Sequence, residues 1–177
     1  RDWSSDVCSS DLLRQPWFRL VALAIVLLSV QTTLFTEMKP FGENLDIMLL
    51  AVVATGVVGG SQFGALAGFV FGVAFDLVLI SPLGISPLVY GLVGFLAGYS
   101  TSLTFQPTWY LHAGFVALLS AVGVVVLAIV QQIVGPRAPL SAAVVQTAVV
   151  VGIANGILAP LALPLQRWCL GIKRAVV

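Results

Sequence analysis

The 177 residues are 59% hydrophobic and only 8% charged, with 8 Lys and Arg against 7 Asp and Glu. Soluble domains devote about a quarter of their residues to charge, and so few charges cannot cover the surface of a water-soluble domain of this length. The mean hydropathy of +1.08 points instead to an all-α polytopic membrane protein.

Residues 1–12 stand apart. They are polar and patternless, and the run from Asp2 to Leu12 resembles a frame translation of a common sequencing adapter. No initiator Met precedes them, so the segment reads as non-native and the true amino terminus as missing. A single integral membrane domain is expected over residues 13–177. Setting the segment aside removes one of the basic residues, three of the acidic ones and Cys8. Cys169 is then the only cysteine, which permits neither an internal disulfide nor a cysteine metal cluster.

A membrane-crossing helix needs about 20 mostly apolar residues to match a hydrocarbon core about 30 Å thick. The first such run covers residues 17–35 and is followed by a polar stretch, 36–45, holding Glu37, Lys39 and Glu43. A second run covers 46–60. The third, 62–80, ends at the breaker Ser81-Pro82-Leu83-Gly84. The fourth covers 85–103 and the fifth 110–134, before the turn Gly135-Pro136-Arg137-Ala138-Pro139. The sixth, 140–165, leads into a basic tail, with Pro160 and Pro164 expected to kink or end it. Gly59-Gly60-Ser61 is the sole punctuation between runs two and three, so a tight hairpin and a short re-entrant segment are both open there. Six transmembrane helices are favoured over five, with no soluble domain.

The basic residues set the orientation. With both ends cytoplasmic, Arg14, Arg19, Arg167, Lys173 and Arg174 are internal, and Lys39 and Arg137 are external. Trp17, Trp109 and Trp168 then fall at cytoplasmic boundaries, where indole rings favour the headgroup layer. The basic carboxyl end suits anionic membrane lipid but is too small for nucleic acid.

Ten of the 17 glycines lie between Gly56 and Gly98. Gly60, Gly64, Gly68 and Gly72 recur every fourth residue and Asp76 takes the next step. This spacing forms a groove that lets another helix backbone approach closely. Gly91, Gly94 and Gly98 continue the theme in the fourth run. The groove serves either internal packing of helices three and four or capture of a partner helix. Asp76 is the clearest intramembrane acidic residue, at a cost of about 2.5 to 3.5 kcal/mol for a helix centre and less toward its ends. It is either a partner contact or a carboxylate capped by backbone amides near the turn at 81–84.

No catalytic arrangement is visible. His112 lacks a second ligand at metal-binding spacing, and Gln131, Gln132, Gln146 and Asn155 suit hydrogen bonds between helices. There is no Ser/His/Asp set, phosphate-binding glycine loop or HExxH stretch. A non-enzymatic protein without metal or cofactor is expected.

The middle of the chain resembles a known family. Asp46-Ile47-Met48-Leu49-Leu50, the stretch from Gly64 through Gly68 and Gly72 to Asp76-Leu77, then Leu83-Gly84 and the segment Gly91 to Tyr99 are similar to the bacterial rod shape-determining protein MreD family. Asp46, Gly68, Gly72, Asp76 and Gly84 match its pattern position by position. The family more often opens the second helix with Pro-Asp than with the Leu45-Asp46 found here. The resemblance implies an inner-membrane scaffold of the cell-elongation complex that supports peptidoglycan synthesis along the lateral wall. Its implied partners are a single-pass MreC-like protein and, through it, an MreB-like filament and the wall synthases. The contact residues are then Asp46, Gly64, Gly68, Gly72, Asp76, Gly84, Gly91, Gly94 and Gly98.

The alternative is the substrate-binding subunit of an energy-coupling-factor vitamin transporter, a six-helix protein of similar size. A vitamin site calls for several polar or aromatic side chains around a cavity. Those subunits also tend to carry an Ala-x-x-x-Ala pattern in the first helix, which is missing around Ala22 and Ala24.

Overall fold

Apolar runs that leave water must satisfy their backbone groups internally, and a helix does so within one segment. The computed structural model describes residues 16–37, 46–78, 84–103, 109–134 and 142–171, and they form six helices. These are α1 (Pro16–Glu37), α2 (Ile47–Gly59), α3 (Ser61–Val78), α4 (Ile85–Leu103), α5 (Trp109–Val134) and α6 (Ala142–Leu170). The expected adapter-like segment, the polar loop around Lys39, the turn at 135–139 and the basic residues Arg14, Arg137, Lys173 and Arg174 lie outside the described residues. So do the side chains of Trp17 and Trp109.

Three helices are long and apolar enough to cross a membrane, over Ser61–Val78, Tyr110–Ile133 and Val144–Leu170. The apolar stretches Phe18–Thr33, Ile47–Gly59 and Ile85–Thr101 are shorter. Six helices therefore stand where six spans are expected, and three of them meet the requirements of length and apolarity together. The shortest is α2. At 1.5 Å per residue its 13 residues extend about 20 Å, well under the hydrocarbon thickness.

Helix α2 is the centre of the bundle. It is apolar on every side, so no face of it favours water, and every residue from Met48 to Gly56 is buried. It packs against all five other helices, with α3 and α4 forming the most extensive pair and α5 with α6 the next. Gly60, at φ +89°, is the single non-helical residue between α2 and α3. This positive φ suits glycine, and it makes the join a tight corner.

Helix α6 does not end at its prolines but continues through Pro160 and Pro164 to Leu170. Each proline removes one intrahelical donor, a loss that neighbouring helices can accommodate in a membrane bundle. The extension carries Trp168 to the beginning of α1, where Arg19 lies 5.6 Å from the indole ring and donates to the Trp168 carbonyl at 3.4 Å.

Large apolar side chains cover the outside, among them Leu77, Leu161 and Ile133, each more than two-thirds exposed. In water such a surface aggregates; against lipid it is the expected solvent face. Several hydroxyl side chains bond within their own helices. Ser29, Thr33 and Thr55 donate to carbonyls one turn back, at 2.9, 2.6 and 2.7 Å.

Candidate helix-packing and partner site

The fourth-residue glycine repeat of α3 lies against the backbone of α4. A Cβ built on Gly64 would collide with the Gly94 carbonyl and lie 2.7 Å from the Gly56 Cα. On Gly68 it would meet the Tyr90 carbonyl and come within 2.6 Å of the Gly91 amide; on Gly72 it would meet Pro87 and lie 2.7 Å from the Ser86 carbonyl carbon. Gly98 closes the series at the other end against Gly60 and Ser61. Gly56, Gly64 and Gly94, from three different helices, thus converge on one point, where a single methyl has no room. Gly91 sits at ordinary van der Waals distance, 3.5 Å from the Ala65 carbonyl. The groove is occupied by α4 of the same chain.

Asp76 is buried near the end of α3, and its Oδ2 accepts the Gly84 amide at 2.8 Å. Gly84 adopts φ +108° at the entry to α4, a conformation that suits glycine. The aspartate thereby ties the two ends of the α3–α4 connection together. Beside it lies an opening of about 470 Å³ lined by Phe69, Val73, Asp76, Gly84, Pro87 and Leu88. It faces outward, since Phe69 and Leu88 are exposed.

Asp46 forms a second and more deeply connected centre. It is the N-cap of α2, accepting the Leu49 amide on Oδ1 at 3.0 Å. Its Oδ2 accepts the hydroxyl of Tyr90 from α4. Its main-chain oxygen accepts the side-chain amide of Asn155 from α6 at 3.3 Å. The side-chain oxygen of Gln31 from α1 accepts the Met48 amide at 3.2 Å, and the same side chain hydrogen-bonds to the Asp46 carboxylate. Four helices therefore meet at the first turn of α2, and two orphan amides of that turn are satisfied by side chains.

Of the residues singled out in the sequence, Gly64, Gly68, Gly72, Gly91, Gly94 and Gly98 share the α3–α4 seam, while Asp76 and Gly84 share the turn at its end. Asp46 lies in the separate node. Asn155 reaches Asp46, and Gln146 is exposed. Tyr90 and Gln31 were not among the candidates. The signal for Tyr90 was available, because a phenol in a glycine-lined apolar helix must find a partner for its hydroxyl. Nothing in the sequence distinguishes Gln31 from other glutamines. No group of three or more His, Cys, Asp or Glu side chains suited to a metal occurs among the described residues.

A family model described as rod shape-determining protein MreD matches residues 13–168. The chain belongs to the MreD family. The match begins before α1 and reaches Trp168 in α6, so the MreD assignment takes in the seam, the Asp76 turn and the Asp46 node together. MreD is a family of membrane proteins with a structural part in rod-shape determination, and it is not known for enzymatic activity. No match is found among the curated proteins or among the solved structures.

Proposed function

We propose that this MreD-family chain is a non-enzymatic inner-membrane scaffold of the cell-elongation complex. It binds an MreC-like single-pass protein and, through it, serves an MreB-like filament and the synthases that build peptidoglycan along the lateral wall. The observation that carries this reading is the family match over residues 13–168.

The geometry supports the following division of parts. Gly64, Gly68, Gly72, Gly91, Gly94 and Gly98 hold α3 on α4, while Asp46 fixes α2 at the centre. With the groove filled from within, the partner helix lies on the outer face of the α3–α4 pair, around the opening beside Asp76 and Gly84. Exposed Phe69, Leu88, Leu92, Phe95 and Tyr99 continue that face, and Phe95 stacks on Tyr99 with ring centroids 6.3 Å apart. In lipid, association rests on packing and interhelical hydrogen bonds rather than on hydrophobic drive, so a shaped opening with a carboxylate at its wall offers what a smooth helix face does not.

All six helices belong to the membrane domain in this reading, and both termini are cytoplasmic. The Arg19–Trp168 contact supports the even count, because it brings the beginning of α1 and the end of α6 to one end of the bundle.

The test is co-expression with an MreC-like protein encoded beside this chain, extraction in mild detergent and affinity purification. Stable co-elution, missing with an unrelated single-pass control, is the expected result. Failure to co-elute, together with a tightly bound small molecule in the purified chain, would support the transporter-subunit reading instead.

A further inference from the structure

The node at the beginning of α2 contains more oxygen than its donors account for. Asn155 is 1% exposed, and its Oδ1 finds no hydrogen-bond donor among the described residues. Exchanging the oxygen and nitrogen of this amide is no remedy, because it would set Oδ1 against the Asp46 carbonyl that Nδ2 now satisfies. Among the described residues, the groups that bond the Asp46 carboxylate, 9% exposed, are neutral: the Tyr90 hydroxyl, the Leu49 and Met48 amides and the Gln31 side chain.

The node also lies deep. Helix α2 runs beside α6, with Asp46 at Asn155 and, at the other end, a Cβ built on Gly59 falling 2.9 Å from Leu170. Leu170 lies two residues beyond Trp168, the partner of Arg19, and an Arg–Trp pair suits the headgroup layer. The 13 residues of α2 therefore place Asp46 about 20 Å from that layer, inside a hydrocarbon core about 30 Å thick. An isolated carboxylate at this depth is expensive.

We propose that the buried beginning of α2 is a binding site for a desolvated monovalent cation of sodium size, held by the Asp46 carboxylate and the Asn155 side-chain oxygen. Gln31 and Tyr90 supply further oxygens from α1 and α4. A water molecule would give Asn155 its donor but leave the carboxylate charge to the amides at the beginning of α2 and the Tyr90 hydroxyl. A proton on Asp46 would remove the charge and give the carboxyl a hydroxyl to donate, so the protonated form is the competing arrangement, and it predicts no dependence on sodium. A cation supplies positive charge and a partner for the Asn155 oxygen together. The single carboxylate among neutral oxygens favours a monovalent ion, since divalent ions draw on several carboxylates or retained waters. Because the site joins α1, α2, α4 and α6, its occupancy fastens the central helix to three others. It does not depend on the identity of the membrane partner.

The experiment uses the full chain in detergent, melted in sodium, potassium or choline chloride at equal ionic strength, with equilibrium dialysis against radioactive sodium. The expected result is a saturable rise of the melting temperature on the order of 5 °C in sodium and one sodium retained per chain. Asp46→Asn, which keeps the shape and the hydrogen-bonding oxygen, abolishes both responses. The dialysis of the unaltered chain decides the matter even if that variant does not fold. Equal melting in all three salts with no retained sodium overturns the proposal and leaves the node to an ordered water or a protonated Asp46. A response of equal size to potassium overturns the sodium-size assignment.

Discussion

The hydroxyl of Tyr90 donates to the carboxylate of Asp46 across 44 residues of sequence, so the middle of the glycine-rich α4 is pinned to the first turn of the central helix. Both groups are buried, and neither has water to fall back on. Tyr90→Phe keeps the ring, including its tilted contact with Phe75 at 5.8 Å, and removes only the bond. A buried hydrogen bond to a charged acceptor contributes about 1.5 to 3 kcal/mol. The variant is expected to insert and fold, with its unfolding free energy in detergent lowered by that amount. Asp46→Ala is expected to lose more, because the cap of α2, itself worth about 0.5 to 2 kcal/mol, goes with it and Tyr90 is left without an acceptor.

At the three-glycine crossing, the smallest possible enlargement should be destructive. Gly94→Ala places a methyl against the Gly64 carbonyl carbon at 2.7 Å and the Val52 side chain at 2.9 Å, and the obstructing atoms on α3 are backbone. Overpacking of this kind costs about 1 to 3 kcal/mol. Gly114 in α5 is the matched control: a Cβ there meets nothing within 4 Å. Gly114→Ala should be neutral or stabilise by up to about 1 kcal/mol, as alanine is the better helix former. Comparing the two unfolding midpoints in the same detergent separates lost packing space from a general effect of replacing glycine.

The element boundaries were largely legible because glycine, proline and serine interrupt otherwise continuous apolar runs. Gly60 and Gly84 both mark positions where the backbone takes a positive φ. The end of α6 was less legible: Pro160 and Pro164 suggested a kink or an end, and nothing local reveals that the helix continues to Leu170. The glycine repeat announced close helix approach, but the approaching helix is a matter of tertiary contact. Asp46 was readable as the opening of a helix. Its depth was not, since the polar stretch before it suggests the rim of the bundle, and its partners Gln31, Tyr90 and Asn155 are scattered along the chain.

The bond from Gly84 to Asp76 fixes how α3 hands over to α4. Asp76→Ala removes the acceptor and leaves the amide of a positive-φ glycine unsatisfied, for an expected loss of about 1 to 3 kcal/mol. Asp76→Asn retains an acceptor oxygen and should lose well under half as much. Equal losses for the two variants would show that the charge, rather than the bond to Gly84, is what the fold requires. The measurement is the same detergent unfolding series, run on both variants beside the unaltered chain.

If the partner helix lies on the outer face of α3 and α4, partner capture and stability should separate there and nowhere on the seam. Phe69 and Leu88 line the opening beside Asp76, and Leu88 is 64% exposed. Truncating either removes little internal packing. Phe69→Ala and Leu88→Ala together are therefore expected to leave the melting temperature within about 2 °C of the unaltered chain. An anchor at the centre of an interface typically contributes about 2 kcal/mol or more, so the pair should lower the yield of co-purified MreC-like partner at least tenfold. Leu161→Ala, a similarly exposed position on α6, serves as the control for loss of lipid contact. Full capture by the double variant, with normal melting, would move the partner to another face of the bundle. The assignment of the glycines to the α3–α4 seam would stand, because it rests on their contacts with the α4 backbone and not on the partner.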